Sequence, residues 1–324
     1  MDELRALGEA LGGPEWVQGP GGNVSVKVGE MLAVKASGKR LRDLGQPGSH
    51  AEVPLALARA ALAGDAEADR ETFARTPRPS LETYFHALGG RVVAHTHSIG
   101  AMLVACSRAA RPQGVLSVPY ERPGRMLGVR VAEALAGART GAVLMESHGL
   151  VVYADSVDEA VSRSRELDRT FRESIDVPLS SFAERVSAPY EVVAVDAQGA
   201  VLTALPPRTP ASGPARYLTP DAVVYASVSR VASLDDANTL SLARETLAAF
   251  GRPVVLVADD GRRVQCARNA DELAQAREVA LAHDYVEDAL GARADAVYLP
   301  DDEPARVVGM PSEQYRLALT RKES

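Results

Sequence analysis

Arg91-Val92-Val93-Ala94-His95-Thr96-His97 is an apolar run that ends in two histidines one residue apart. In a strand, residues two apart point to the same face, so His95 and His97 can reach one ion while Thr96 faces away. A third histidine, His148, follows a second apolar run, Gly141-Ala142-Val143-Leu144-Met145, and precedes Gly149. Three imidazoles at strand ends match a catalytic zinc site, in which three protein nitrogens bind the metal and a position stays open to substrate. There is a plainer reading of the same residues. His-x-His recurs without metal, and a histidine before a glycine can simply end a strand at a turn. The chain has six histidines in all, so finding three in this arrangement favours the metal.

A carboxylate accompanies them. Glu82 follows Arg78-Pro79-Ser80-Leu81 and opens Thr83-Tyr84-Phe85-His86-Ala87-Leu88. The pattern predicts a helix over 79–89 with Pro79 near its start and Glu82 in its first turn. An anion there is stabilised by the helix dipole, so Glu82 is either a structural N-terminal charge or a catalytic group, and the histidines favour the second.

The 324 residues allow two domains with ample core. A net charge of -7 offers no global basic footprint, which argues against nucleic acid and acidic membrane surfaces as partners. No basic leader with a long apolar core begins the chain and no apolar run approaches membrane-spanning length, so the expectation is a cytoplasmic protein. Cys106 and Cys266 are far apart in sequence and read as buried thiols.

Along the chain, residues 2–12 predict a helix. Val24, Val26 and Val28 alternate with Ser25 and Lys27, and Gly29-Glu30 makes a two-residue turn into Met31-Leu32-Ala33-Val34, a hairpin. Residues 52–63 predict a helix with Pro54 in its first turn. Further helices are expected over 99–106 and 124–136, with a strand at 115–118. Ser156 with Glu159 forms a capping box for a helix over about 157–175. The pattern loosens around Val177-Pro178, and Pro206–Pro214 is a linker. The expected domains are therefore 1–180 and 187–324. The second holds a hairpin at 190–205, helices at 236–249 and 270–290, and strands about Asp259-Asp260-Gly261. His283 there, beside Asp284 and Glu287, reads better as a solvated or locally bonded histidine than as a second metal site.

Gly21-Gly22-Asn23, Ala36-Ser37-Gly38 and Pro79-Ser80 are turn segments whose backbone N–H groups can bind phosphate oxygens, with Asn23, Ser37 and Ser80 adding side-chain donors. Glycine at each is equally a turn requirement. Lys35 and Lys39 flank the second segment as either added positive charge or solvated surface.

Taken in order, Gly22-Asn23-Val24-Ser25-Val26, Lys35-Ala36-Ser37-Gly38, Pro79-Ser80-Leu81-Glu82, His95-Thr96-His97, Tyr120 with Pro123-Gly124, and His148-Gly149-Leu150 resemble the class II aldolase/adducin family. Within it the likeness is to sugar-phosphate aldolases such as those for fuculose and rhamnulose phosphates, over residues 3–175. The resemblance implies a three-layer αβα fold around a mainly antiparallel sheet, with a second, smaller α/β domain as in longer members. It implies zinc, or another divalent metal such as manganese or cobalt, on His95, His97 and His148, and a homotetramer with sites between subunits. It also implies that Glu82 is the catalytic carboxylate, that Tyr120 handles the proton on the aldehyde oxygen, and that Asn23, Ser37, Gly38 and Ser80 hold a sugar phosphate. The expected reaction is reversible cleavage of a ketose 1-phosphate to dihydroxyacetone phosphate and an aldehyde. The family shares its metal scaffold with 4-epimerases and decarboxylases, and adducin-like members are binding modules. Leu81 departs from the pattern, since several sugar-phosphate members carry a second serine there. Residues 190–324, including Tyr217-Leu218-Thr219-Pro220-Asp221 and Glu313-Gln314-Tyr315-Arg316, resemble the extension of longer members.

Overall fold

The computed structural model describes residues 2–109, 111–176, 180–195, 200–210, 212–235, 238–291, 295–312 and 314–315. Ala211, Glu313, Arg316, Val177 and Pro178, which figure in the sequence reading, lie outside them. The chain divides into two compact units, residues 1–179 with 288–297 and residues 180–287 with 298–324.

The first unit runs α1 (Asp2–Leu11), β1 (Asn23–Val28), β2 (Met31–Lys35), β3 (His50–Pro54), α2 (Leu55–Ala63), α3 (Ala66–Phe73), α4 (Thr83–His86), β4 (Val92–Thr96), α5 (Ile99–Ala105), β5 (Leu116–Val118), α6 (Arg125–Leu135), β6 (Gly141–Met145), β7 (Gly149–Ala154) and α7 (Val157–Ile175). Its strands form a seven-stranded sheet in the order β3-β2-β1-β4-β7-β6-β5. Every pair is antiparallel except β5 with β6. The two-residue turn at Gly29-Glu30 closes the first hairpin, with Val28 opposite Met31 and Gly29 at φ 56°.

Alternation along the strands feeds two cores. Val24, Val26, Val92 and Ala94 pack with Leu4, Leu7 and Leu11 of α1 and Ala160 of α7. Val93, Val143, Val151 and Tyr153 face the other way, against Phe85 and the α6 residues Leu127, Val131 and Leu135. Each such aliphatic side chain contributes roughly 1.5–3 kcal/mol on burial, and both faces of the sheet are covered by helices. Ser156 caps α7 as its sequence predicts, accepting from Glu159 N at 3.1 Å, while the Glu159 carboxylate accepts from Asp155 N at 2.9 Å.

Three local readings are corrected. The expected helix over 52–63 begins only at Leu55, because residues 50–54 form β3 and Met31 pairs with Pro54. Edge-strand pairing overrides the local helix preference of Glu52-Val53. The expected helix over 79–89 shrinks to the single turn Thr83–His86. Pro79 instead forms a bridge with Ala36, and Ser80 N donates to Lys35 O at 3.1 Å. Helix α3 is added, capped by Asp65, whose carboxylate accepts from Glu67 N and Ala68 N.

The second unit runs α8 (Ser180–Ser187), β8 (Val192–Val195), β9 (Val201–Leu205), α9 (Pro220–Tyr225), β10 (Ser227–Val231), α10 (Thr239–Phe250), β11 (Val254–Ala258), β12 (Arg263–Ala267), α11 (Ala270–Gly291, whose last residues belong with the first unit) and α12 (Glu303–Val308). Its five strands form a sheet in the order β10-β11-β12-β9-β8, with β10 and β11 parallel. Cys106 and Cys266 are both buried thiols. No helix among the described residues is long and apolar enough to cross a membrane.

Helices α5 and α7 meet at a point where only glycine fits. A Cβ on Gly100 would lie 2.4 Å from Asp168 O. Asp168 Oδ1 accepts from Gly100 N at 2.8 Å and its Oδ2 pairs with Arg172 Nε at 2.7 Å, both side chains being buried. Asp168→Ala leaves the Arg172 charge buried and uncompensated, so urea unfolding is expected to show a loss of about 3–5 kcal/mol. A loss below about 1 kcal/mol would class the pair with solvent-screened surface bridges.

Candidate metal centre

The site is assembled where β1, β4 and β7 run side by side. Asn23 opens β1 directly opposite His95, and His95 stands opposite Val151 on β7. His95 continues the Val93 row of the sheet and meets the ring of Phe85 edge-on at 5.5 Å. His97 lies just beyond the strand on the same parity, and the two rings are 4.8 Å apart. His148 comes from the short turn Glu146-Ser147-His148 joining β6 to β7. That turn needs Ser147 at φ 51° and is held by three backbone bonds, Glu146 N to Val118 O, Ser147 N to Ala105 O and His148 N to Met145 O.

One ring nitrogen from each of His95, His97 and His148 falls within 4.8 Å of the others, and all three residues are buried. His95 Nδ1 donates to Leu150 O at 3.0 Å, which leaves the Nε2 lone pair directed at His97 Nε2, 3.0 Å away. Metal-ligating histidines commonly make that kind of outer hydrogen bond to a backbone carbonyl. Glu82 closes the cluster, with Oε1 2.8 Å from His148 Nε2 and Oε2 3.5 Å from His95 Nε2.

Glu82 is positioned by its neighbours. Its N–H donates to Ser80 Oγ at 3.3 Å, Thr83 Oγ1 donates to Ser80 O at 2.7 Å, and Asn23 Nδ2 donates to Glu82 Oε2. Burial opposes the carboxylate charge, but His95 and His148 outweigh it and hold the group well below the usual carboxylate range. Burial lowers the pKa of His95, against the pull of Glu82. Asn23 Oδ1 and His148 Nδ1 are buried without a hydrogen-bond partner, and Glu82 Oε1 meets the cluster through its ion pair with His148. Unsatisfied acceptors around converging imidazole nitrogens are costly in the protein alone and fit a divalent cation with three nitrogen ligands and a carboxylate beside it.

The predicted anion-binding segments come together in part. Ser37 N donates to Arg78 O at 2.9 Å and Ser80 N to Lys35 O, so these two N–H groups are committed to the backbone, and of these two serines it is the hydroxyls that remain to meet a phosphate. Gly38, at φ 79°, turns the chain between them. Lys35 is not a surface charge. It is buried, and its ammonium donates to Pro20 O at 2.8 Å and Lys39 O at 2.6 Å. Tyr120 is half-buried two residues beyond β5, whose end pairs with the β6 end that leads to His148. Arg122 and Arg125 are exposed, and Arg125 stands beside Gly64.

Other supporting groups carry no sequence signal. Gln18 donates through Nε2 to Pro14 O at 2.7 Å and to His97 O at 3.4 Å. His86, fully buried, has Nδ1 2.8 Å from Ser25 Oγ, and burial pushes it down to about 3.

Comparison with known proteins follows the same residues. Positions 2–175 match the family described as Class II Aldolase and Adducin N-terminal domain. No curated protein matches the chain. Among solved structures, the N-terminal class II aldolase domain of a conserved protein from Thermoplasma acidophilum is 25% identical, over 54% of this chain and 92% of that one, at a TM-score of 0.48. YgbL from Klebsiella pneumoniae, described under aldolase/epimerase/decarboxylase, is 24% identical over 55% and 89%, at 0.44. The L-fuculose-1-phosphate aldolase from Thermus thermophilus is 22% identical over 53% and 90%, at 0.39. The sequence match over residues 2–175 carries the comparison.

Two outcomes are expected. A Cβ on Gly149 would lie 2.5 Å from Thr96 O, 3.0 Å from His97 Cδ2 and 3.3 Å from His95 Cε1. Gly149→Ala is therefore expected to weaken divalent-metal binding about 10–100-fold without replacing a ligand, measured by competition with a chromogenic chelator. An unchanged affinity would mean that the rings are not held by this contact. In metal-free protein, His86 stays neutral while the unfolded chain takes up a proton there below about pH 6.5. The unfolded state then binds the extra proton, so stability is lost as pH falls from about 6.5 to about 3, by roughly 1.4 kcal/mol per unit. Urea midpoints that stay flat across that window would contradict this burial.

Proposed function

Because the chain belongs to the class II aldolase and adducin family, we propose that it is a zinc-dependent aldolase that reversibly cleaves a ketose 1-phosphate to dihydroxyacetone phosphate and an aldehyde. The observation that carries this reading is the convergence of three buried imidazoles on one buried carboxylate, Glu82. His95, His97 and His148 hold the ion, which is zinc or another divalent metal such as manganese or cobalt. When bound, it supplies a Lewis acid against the negative charge that carbon–carbon cleavage leaves beside a carbonyl.

The protein's own groups do the rest. In the condensation direction the Glu82 carboxylate takes the proton from the carbon that becomes the nucleophile, and in cleavage it returns that proton. Asn23 fixes Oε2 of Glu82, which leaves Oε1 as the oxygen that carries the proton. Tyr120 exchanges the proton on the aldehyde oxygen. The Ser37 and Ser80 hydroxyls, with Gly38 and Asn23, take the phosphate, and Leu81 limits the hydroxyl count there. The same reading makes the protein a cytoplasmic homotetramer.

A decarboxylase of keto acids needs a cation beside the substrate carboxylate. The arginines nearest in sequence to Tyr120 are exposed, and Arg125 lies by the end of α2, which favours the aldolase over that alternative. The buried polar atoms left unsatisfied at the cluster likewise favour an enzyme over a binding module.

Elemental analysis of purified protein is expected to find about one zinc per chain, and a coupled assay to detect dihydroxyacetone phosphate released from one member of a ketose 1-phosphate panel. Chelation should abolish turnover and zinc restore it. Glu82→Gln is expected to keep the metal and lose about 10²–10⁴-fold in kcat. Full turnover in metal-free protein would overturn the mechanism, whereas zinc without release from any ketose phosphate would move the assignment to an epimerase or decarboxylase.

A further inference from the structure

The five-stranded sheet of the second unit has two faces with different neighbours. On β11, Val254, Leu256 and Ala258 turn towards α10 and pack with Ala243 and Leu247. The alternate residues Val255 and Val257 face the other way and, with Ala226, Val228 and Ala280 of α11, floor a pocket of about 380 Å³. That volume lies within the usual range for small-molecule sites.

The walls are ionic. Arg208, Arg216, Arg230 and Arg263 line the pocket against Asp284 and Glu287. Arg208 Nη1 is 2.6 Å from Asp284 Oδ1 and 2.9 Å from Glu287 Oε2, and Arg263 Nη2 is 2.6 Å from Asp284 Oδ2. His283 Nε2 accepts from Leu218 N at 3.2 Å, and burial holds its pKa below the ordinary value. His283, Asp284 and Glu287 have the spacing of a cation site. A cation there would have to displace two guanidiniums and a backbone donor.

An anion meets the opposite situation. Four guanidiniums against two carboxylates leave the lining positive. Arg263 is 6% exposed, and its Nε has no hydrogen-bond partner, a buried donor that an oxyanion can satisfy. At the rim the exposed Arg216 guanidinium stacks 3.9 Å above the Tyr298 ring, whose hydroxyl donates to Glu287 at 3.0 Å.

We propose that this pocket binds a small organic oxyanion, a phosphate or carboxylate on a compact apolar or planar body. Arg263 and Arg216 hold the anion, and Val228, Val255 and Val257 carry the body. The pocket is lined by none of the residues assigned to the aldol chemistry.

The test is calorimetric titration of the full chain with phenyl phosphate and, separately, benzoate, at low and raised salt. Saturable binding of at least one probe, weakened by salt, is expected, and the preferred probe identifies the anion. Arg263→Met and the surface variant Arg216→Ala should each weaken it about tenfold or more, whereas Ser80→Ala should leave it unchanged. Should Arg263→Met prove misfolded by circular dichroism, Arg216→Ala decides alone. Absence of saturable binding for both probes overturns the proposal. So does binding that survives the arginine changes and is lost in Ser80→Ala, which would assign the anion to the first unit. The readout requires neither metal nor turnover, so it stands or falls separately from the aldolase reading.

Discussion

The pairing of β4 between β1 and β7 is the constraint on which the first unit depends. Register puts Asn23 opposite His95 and His95 opposite Val151, and the neighbouring Leu150 carbonyl receives the His95 Nδ1 proton. Side chains alternate with a period of two, so a slip of one residue in β4 would turn both histidines to the other face. It would simultaneously carry Val92 and Ala94 out of the core they share with α1. The apolar packing that stabilises the sheet and the geometry that gathers the ligands are thus the same fact, and neither can be relaxed alone.

Electrostatics at the cluster run against stability. A carboxylate and three imidazoles removed from water leave several polar atoms unsatisfied, an arrangement that hydrophobic replacements would make more stable in the protein alone. The helix dipole invoked from sequence is a small part of what holds the Glu82 charge, because α4 is a single turn. Asn23, Ser80 and the histidines hold it instead. Fixing an anion by side chains from separate elements, and not by one helix end, leaves its second oxygen directed at the cluster.

Much of this was legible in the sequence where the signal is local. The Gly29-Glu30 hairpin, the Ser156 cap and the strand ending in His95 and His97 follow from alternation and capping chemistry. The misreadings share one cause, which is that tertiary partners decide the outcome. Residues 52–54 look helical until β2 offers an edge, and Pro79 looks like a helix start until Ala36 bridges to it. Lys35 passes for a surface charge because nothing in its neighbours announces that two carbonyls, from Pro20 and Lys39, converge on it. The Leu150 carbonyl and Gln18 are invisible to any pattern of side chains, since one acts through its backbone and the other reaches across to His97. In the second unit β10 was missed because it is short and only partly buried, and it becomes a strand through parallel pairing with β11.

The turn that delivers His148 has a consequence for how such a chain can vary. Met145 and Gly149 are cross-strand partners, so the three residues between them are a fixed count, tied down by Val118, Ala105 and Met145 carbonyls on separate elements. Glu146 enters the turn through its backbone N–H and pairs its carboxylate with Arg111 at 3.1 Å, and what the turn fixes above all is its length. One residue more or fewer would move the imidazole around the turn by a full side-chain position while the other two stayed in place. Spacing between β6 and β7 therefore behaves as a ruler for the third ligand, a property of chain length that substitution at any single position neither reproduces nor repairs.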